Sequence, residues 1–489
     1  MLTVQEIKTF IDNDAASVKK QLAKTGQRYY EADHDIKNYR IFFVNADGML
    51  EEDKTKSNIK ISHPFFTELV DQEVQYMLSG KDGFVRSDDP DLQEQLDVYF
   101  NDNEDFMSEL YEVITGCIAK GYEFAYAFKN ADDRIAFKCA DSIGVVEVKA
   151  KETDDGCEYV IYWYVDRIGK DGKKIKKIQL WDSKQTYFYV QEDDGKILPD
   201  ESEQLNPRPH VVWTEGDDGK MYYSDFGMIP FFRLDNCRKQ HSGLKPIKAL
   251  LDDYDLHACS LSNNLQDTAE ALYVVKGFDG DDLSELMMNI KAKKHIGVSD
   301  QGGVEVHTVA VPYEARKAKL DIDRESIYRF GFGLDTANLK DTSATTNIAI
   351  KSAYSLLDMK CNKLEIRLKQ FMRKLLKLVL KEINDTNETA YTQRDVYFNF
   401  EREVPTNAQE NAQIELTDAQ RRQAEINTLL MLATKLDNET LMQQICEQLD
   451  LDYASLKDKL PPPEDVLDPY AVQTALAEIP TEPEEPIMV

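Results

Sequence analysis

Positive charge is scarce in this chain. Its 489 residues include 59 Lys and Arg against 89 Asp and Glu, a formal net charge of −30. Broad, non-specific adhesion to nucleic acid needs an electropositive face, so the composition disfavours it. A protein past which a polyanion must slide without sticking remains compatible with it. Cysteine is sparse as well. The seven (Cys117, Cys139, Cys157, Cys237, Cys259, Cys361 and Cys446) are odd in number, and none is spaced C-x-x-C. That pattern predicts reduced, mostly buried thiols in a cytoplasmic setting. The seven histidines (His34, His63, His210, His241, His257, His295 and His307) form no H-x-x-x-H pair. Without cysteine partners nearby, a zinc site is not expected. No apolar run approaches the ~18 residues of a membrane span. No basic-then-apolar stretch opens the sequence, so no signal peptide is expected.

Catalytic motifs are missing too. There is no G-x-x-x-x-G-K-[ST] of a P-loop ATPase. Gly216-Asp217-Asp218-Gly219-Lys220 has the wrong spacing and reads as a hairpin turn, and Gly331-Phe332-Gly333 lacks the third glycine of a dinucleotide loop. Nothing pairs a serine or cysteine nucleophile with a base. Asp321-Ile322-Asp323 offers two carboxylates of the kind that metal-dependent nuclease chemistry uses, but a solvated helix face accounts for them more simply. No catalytic residue, metal or cofactor is assigned, and the chain is not expected to be an enzyme.

What is present is ample core material. Hydrophobic residues make up 42% of the chain, which excludes wholesale disorder, and the length allows two to four domains at roughly 100–200 residues each. Residues 1–38 read as helical, with Val4, Ile7, Phe10, Ile11, Val18 and Leu22 on one face. Ser62-His63-Pro64 predicts a helix start with Ser62 as N-cap, and Gly80 stands where a C-cap would. Two further helices are expected over 91–120. Near Tyr122 the period changes to two, and Asp-Gly turn signals recur at 155–156, 171–172, 194–195 and 218–219. The stretch 122–234 holds 19 of the 48 aromatics and all three tryptophans, so it reads as antiparallel hairpins whose aromatics form sheet core and face.

Helical period then returns. Ile247, Leu250, Leu251, Tyr254, Ala258, Leu261, Leu265 and Ala269 form a 3-4-3-4 stripe that needs a partner helix, in this chain or another. Leu272–Phe278 reads as a strand, Asp281–His295 as a helix and Gly303–Ala310 as a second strand. Pro312 opens a helix ending near Gly331 and Gly333. It carries Arg316, Lys317, Lys319, Asp321, Asp323, Arg324, Glu325 and Arg329 on several faces, and only Ala315, Ala318, Ile322, Ile327 and Phe330 as an apolar set. So polar a helix suits a wet channel or a solvated gap between domains. A helix from Asn347 to Ile383, roughly 55 Å long at 1.5 Å per residue, holds nine Lys or Arg and three Asp or Glu. Its basic face either pairs with acidic surface elsewhere in the protein or contacts nucleic acid. After a strand-like run from Val396 to Phe400, Thr406 with Gln409 predicts a capping box. The last 29 residues contain seven prolines, seven acids and no basic residue, the composition of a disordered tail.

Three stretches carry a resemblance: Asn58–Gly80 (NIKISHPFFTELVDQEVQYMLSG), Gly227–Asp267 and Val311–Leu364. They resemble the portal proteins of tailed bacteriophages, in the group typified by the Bacillus phage SPP1 portal. The likeness runs in order over most of residues 1–385 and rests on the series of element types, lengths and punctuation. It implies an α+β, portal-like fold: a helical and antiparallel-β wing (1–235), stem helices at 244–270 and 312–331, and a small α/β clip (271–311). A tunnel loop (332–346), a long wing helix (347–383), a helical crown (384–460) and the acidic tail (461–489) complete it. Ser343-Ala344-Thr345-Thr346 lacks the glycine common at the family's loop-to-helix junction.

The resemblance further implies a ring of about twelve subunits at one capsid vertex, a conduit for DNA packaging and ejection, assembled in the host cytoplasm and carried in the virion. The partners implied are further copies of the chain, the major capsid and scaffolding proteins, a terminase that supplies the ATPase, a head–tail adaptor, and duplex DNA passing without sequence preference. No membrane partner is implied. Asn338, Leu339, Lys340, Asp341 and Thr342 fall on the tunnel loop, Arg316, Lys319, Asp323 and Arg324 on the channel-lining stem helix, and Leu250, Tyr254, Leu261 and Leu265 on a subunit contact. The clip strands are expected to pair with neighbouring subunits. The other reading is a head–tail or tail structural protein without a DNA channel.

Overall fold

The computed structural model describes residues 1–45, 47–54, 56–81, 83–151, 156–168, 174–191, 195–215, 220–267, 272–276, 303–307, 313–336, 347–404, 408–432, 435, 438–449 and 453. They belong to two compact units, one of Met1–Asp341 with Ala353–Glu403, the other of Thr342–Ser352 with Val404–Val489.

The first unit opens with α1 (Val4–Ala16) and α2 (Val18–Tyr30). Ser17 separates them. Its backbone is extended and its hydroxyl accepts from the Lys20 amide, so it ends one helix and caps the next. The interruption changes the helical phase and corrects the single face read from sequence. Ile7 and Ile11 are buried, whereas Val18 and Leu22 are exposed, and Lys20, Ala23, Gly26 and Tyr29 turn inward instead.

A hairpin of β1 (Phe42–Val44) and β2 (Leu50–Glu52) follows, then α3 (Phe65–Met77). Pro64, not Ser62, takes the N-cap position of α3, and the Ser62 hydroxyl is buried without a hydrogen-bond partner. Leu78, not Gly80, is the C-cap. Gly80 lies against the segment that follows residue 398: a Cβ there would sit 2.7 Å from the Glu401 carbonyl oxygen.

Next come β3 (Val85–Arg86), α4 (Pro90–Leu96), a π-turn at Asp97–Asn101 and α5 (Glu104–Lys120). The β region then holds β4 (Tyr122–Lys129), β5 (Ile135–Ala140), β6 (Val145–Val148), β7 (Tyr159–Ile168), β8 (Lys174–Trp181) and β9 (Gln185–Gln191). It continues with β10 (Ile197–Pro199), β11 (Arg208–Pro209), β12 (Val211–Glu215), β13 (Lys220–Ser224) and β14 (Phe231–Asp235). Each Asp-Gly pair lies between strands that pair antiparallel: β6 with β7, β7 with β8, β9 with β10, and β12 with β13. One sheet runs β10-β9-β8-β7-β6 with β11 also on β9, and a second runs β14-β4-β5.

Ile7 and Ile11 of α1 pack on the first sheet against Val146, Val148, Ile161, Ile178, Leu180, Tyr189 and Ile197. Ala23 of α2 joins Tyr122, Phe124, Val160 and Trp181. Aliphatic side chains, not aromatics, make up most of the core on the first sheet; aromatics gather in the second cluster, and Tyr222 and Tyr223 of β13 are exposed. Strand β4 departs from simple alternation, because Glu123 is as buried as its apolar neighbours. Lys120 and the Ser142 amide satisfy its carboxylate, and Gly116 of α5 leaves room for it.

The remaining elements are α6 (Lys248–Asp267), β15 (Leu272–Lys276), β16 (Gly303–His307), α7 (Tyr313–Gly331), α8 (Asn347–Asn387) and β17 (Tyr397–Phe398). Strand β17 pairs with β3. Strands β15 and β16 pair with each other over five residues. From Leu357 to Ile383, α8 buries Leu357, Cys361, Leu364, Leu368, Phe371, Leu375, Val379 and Ile383 along one face. The second unit contains α9 (Ala408–Met431) and α10 (Asn438–Gln448). The helix expected at 281–295, Thr406 of the expected capping box and the tail 461–489 lie outside the described residues. Among the described residues, no helix is long and apolar enough to cross a membrane.

Candidate functional site

Helices α6 and α7 pack on one another and carry most of the residues singled out from sequence. The face that α6 turns inward is not the one its apolar residues suggest. Ile247 and Leu251 are buried, but the line continues through Asp255 and Cys259. Leu250, Tyr254 and Leu261 are only half-buried and Leu265 is exposed. Tyr254 meets His63 and Phe65 edge-on, with ring centroids 5.0 and 4.9 Å away. Ala269 lies outside the described residues.

The polar positions of α6 form a ladder. Lys248 reaches Asp35 and Asp252, each at 2.7 Å, and Asp252 accepts from the Tyr29 hydroxyl. Asp255, 1% exposed, is shared by two histidines: His34 Nδ1 lies 2.6 Å from one oxygen and His63 Nδ1 2.7 Å from the other. Burial alone would push the Asp255 carboxyl up, but the His34 and His63 hydrogen bonds outweigh it and hold the group below the usual carboxylate range. Further along, the Cys259 sulfur bonds both the amide and the carbonyl of Ile61, and Asn263 accepts from the Ile59 amide at 2.7 Å. Sequence reading missed this ladder because it sought apolar period, and these rungs are charged or polar.

On α7 the four residues assigned to a channel wall are all engaged within the chain. Lys319 contacts Asp253 of α6 at 2.5 Å and also Asp323, which is buried. Arg324 binds Asp335 at 2.7 Å. Arg316 donates to Asn264 at 3.0 and 2.6 Å, with that amide oriented by its neighbours. Asp321 and Asp323 do not converge: the first is exposed and the second faces Lys319. Among the described residues no three His, Cys, Asp or Glu side chains gather as a metal site. Of the apolar set on α7, Ile327 is fully buried, whereas Ile322 and Phe330 are 60% and 51% exposed.

Where α7 ends, α3 holds it. Tyr328 donates to Glu68 at 2.7 Å, and the Gln72 side-chain amide brackets Leu334, accepting from its N–H at 2.9 Å and donating to its carbonyl at 3.0 Å. Gly331 and Gly333 lie against Leu69, and Phe332 between them adopts a left-handed backbone, φ +57°. Asn338, Leu339, Lys340, Asp341 and Thr342 lie outside the described residues.

The basic face of α8 is divided. Lys360 pairs with buried Glu73 at 2.8 Å, Lys369 with Glu365 at 2.8 Å, and Lys363 stands over the Phe332 ring. Lys374 and Lys377 instead rim a cleft of about 990 Å³ whose wall mixes Lys149, Lys184 and Arg233 with Glu147, Glu158, Asp182 and Asp235, and Arg233 is paired there with Glu147 and Asp235. Arg402 ties the irregular segment after β17 back to Asp358 and Glu365 of α8.

Comparison with known proteins places this arrangement. The portal protein of Bacillus phage SPP1 is 25% identical over 379 residues, 76% of this chain and 73% of the relative. The portal protein of Clostridium phage phiCD119 is 24% identical over 392 residues, 78% of this chain and 82% of the relative. A solved chain from the neck of a native GTA particle aligns with 78% of this chain and 89% of its own, with a TM-score of 0.38 and 13% identity. The family described as "Phage portal protein, SPP1 Gp6-like" matches residues 9–451, and the chain belongs to that family of bacteriophage portal proteins.

Proposed function

We propose that this chain is the repeating subunit of a ring of about twelve copies at one capsid vertex, a conduit for duplex DNA during packaging and ejection and not an enzyme. Family membership supports the class of function. The observation that carries the ring is the apolar surface left uncovered on a two-helix stem: Leu265, Ile322 and Phe330 are all more than half exposed in the single chain. Identical subunits cover such surface by heterologous contacts that close by rotation. In this reading Leu250, Tyr254, Leu261 and Leu265 of α6 face a neighbouring subunit.

The outer face of α7, with Lys317, Asp321, Glu325 and Arg329 exposed, lines the channel, while Arg316, Lys319, Asp323 and Arg324 brace it from behind. An acidic conduit repels phosphates and lowers friction for sliding DNA. Lys340, the sole basic residue between Gly333 and Asn347, sets a ring of weak contacts on the tunnel loop, each worth ~0–1 kcal/mol. Strands β15 and β16 leave their outer edges to neighbouring subunits, forming a clip that docks terminase and then the head–tail adaptor. The wing meets the capsid and scaffolding proteins.

Negative-stain electron microscopy of the purified chain tests the reading. Rings with a central hole are expected, and the same rings added to a packaging reaction should protect DNA from nuclease. Compact particles without a hole would favour a head–tail structural protein with no channel.

A further inference from the structure

Residues 57–63 run beside α6 without regular secondary structure; apart from the buried Ser62 hydroxyl, their side chains are half-buried or exposed. From Ile59 on, every second residue nevertheless has its backbone N–H taken by an α6 side chain. Ile59 N–H donates to Asn263 at 2.7 Å, Ile61 N–H to Cys259 at 3.2 Å, and His63 N–H to Asp255 at 3.0 Å. The two numberings run in opposite directions, two residues of the extended segment against four of the helix. The rises agree: two extended residues cover about 6.6 Å and four helical residues about 6.0 Å. The segment is therefore a strap laid antiparallel on α6 and fastened through side chains. Ile61 is 49% exposed and Ile59 only half-buried, so no fully buried apolar side chain holds the strap down. Its strongest rung is Asp255, which takes the His63 ring and backbone together and also holds fully buried His34.

We propose that the strap 57–63 detaches from α6 as one unit, by a local opening far less costly than unfolding, and that Asp255 is the catch. Local openings of this kind are drawn from segments with few buried apolar contacts, which describes the strap. It leads directly into α3, whose Glu68, Leu69 and Gln72 hold the end of α7. Release removes the polar fastening between α6 and the segment entering α3, while the Phe65–Tyr254 ring contact and the α6–α7 packing remain. The inference stands on the single chain and does not depend on ring formation.

The chain contains its own reporter. Cys259 is 3% exposed and its sulfur is covered by Ile61. Cys117 lies in the core of α5 at 0% exposure and reports unfolding of the unit. The full-length protein is treated with N-ethylmaleimide under native conditions, and labelling at each site is followed by peptide mass spectrometry. In the parent chain Cys259 should label at least tenfold faster than Cys117. Asp255→Asn should accelerate Cys259 by a further tenfold or more and leave Cys117 unchanged. Asn263→Ala, which removes only the Ile59 rung, should give a several-fold increase at Cys259 alone. Equal rates at the two cysteines in the parent chain would overturn the proposal. So would variants that accelerate both sites together, or that accelerate neither.

Discussion

Gly331 and Gly333 read from sequence as the punctuation that ends a helix, and their structural role is closer contact than that. A Cβ on Gly333 would lie 2.0 Å from a Leu69 methyl, and one on Gly331 would lie 2.6 Å from the other methyl. Leu69 is 1% exposed and has nowhere to move. Gly333→Ala should therefore cost about 1–3 kcal/mol, the range for overpacking a closed core. The measurement is urea unfolding of the single variant, of Leu69→Ala, and of the two together. Leu69→Ala removes the obstructing methyls, so the double variant should be more stable than the sum of the two losses predicts. Strict additivity would show that the glycine is not kept small by Leu69.

The β hairpins were legible because their signal is local: Asp-Gly turns between alternating strands need no knowledge of the rest of the chain. The inward face of α6 was not legible. Its register is decided by His34, His63 and Ile61, which arrive from far away in sequence and replace apolar contacts with polar ones. The phase change at Ser17 was hidden for a related reason, since one side-chain cap outweighs a weakly amphipathic pattern. What the apolar stripe of α6 did mark is the remainder: Leu250, Tyr254, Leu261 and Leu265 keep partial or full exposure once the inner face is filled. If that remainder is the ring contact, Leu261→Asp should leave the subunit folded by circular dichroism and abolish the large species in analytical ultracentrifugation, because a carboxylate would have to be desolvated in the seam. Unchanged rings would remove this face from the assembly contact.

Each chain brings a net charge of −30 to an assembly of identical copies. At an ionic strength of roughly 10 mM the screening length is about 30 Å, long enough for whole subunits to repel one another. At about 150 mM it falls to about 8 Å, and only charges close to the contact still interact. If apolar stem faces drive ring closure, raising salt across this range should strengthen association, because it removes the long-range repulsion and leaves apolar contact nearly untouched. The α8 cleft is mixed in charge, but its Lys374 and Lys377 edge allows the opposite behaviour. Were that rim to hold acidic surface of a neighbour, attraction would dominate near the contact and salt would weaken the ring. Sedimentation velocity at matched protein concentration distinguishes the two by sign alone. A ring fraction that grows with salt places the driving force on the stem. A ring fraction that shrinks would move the principal contact to the α8 cleft.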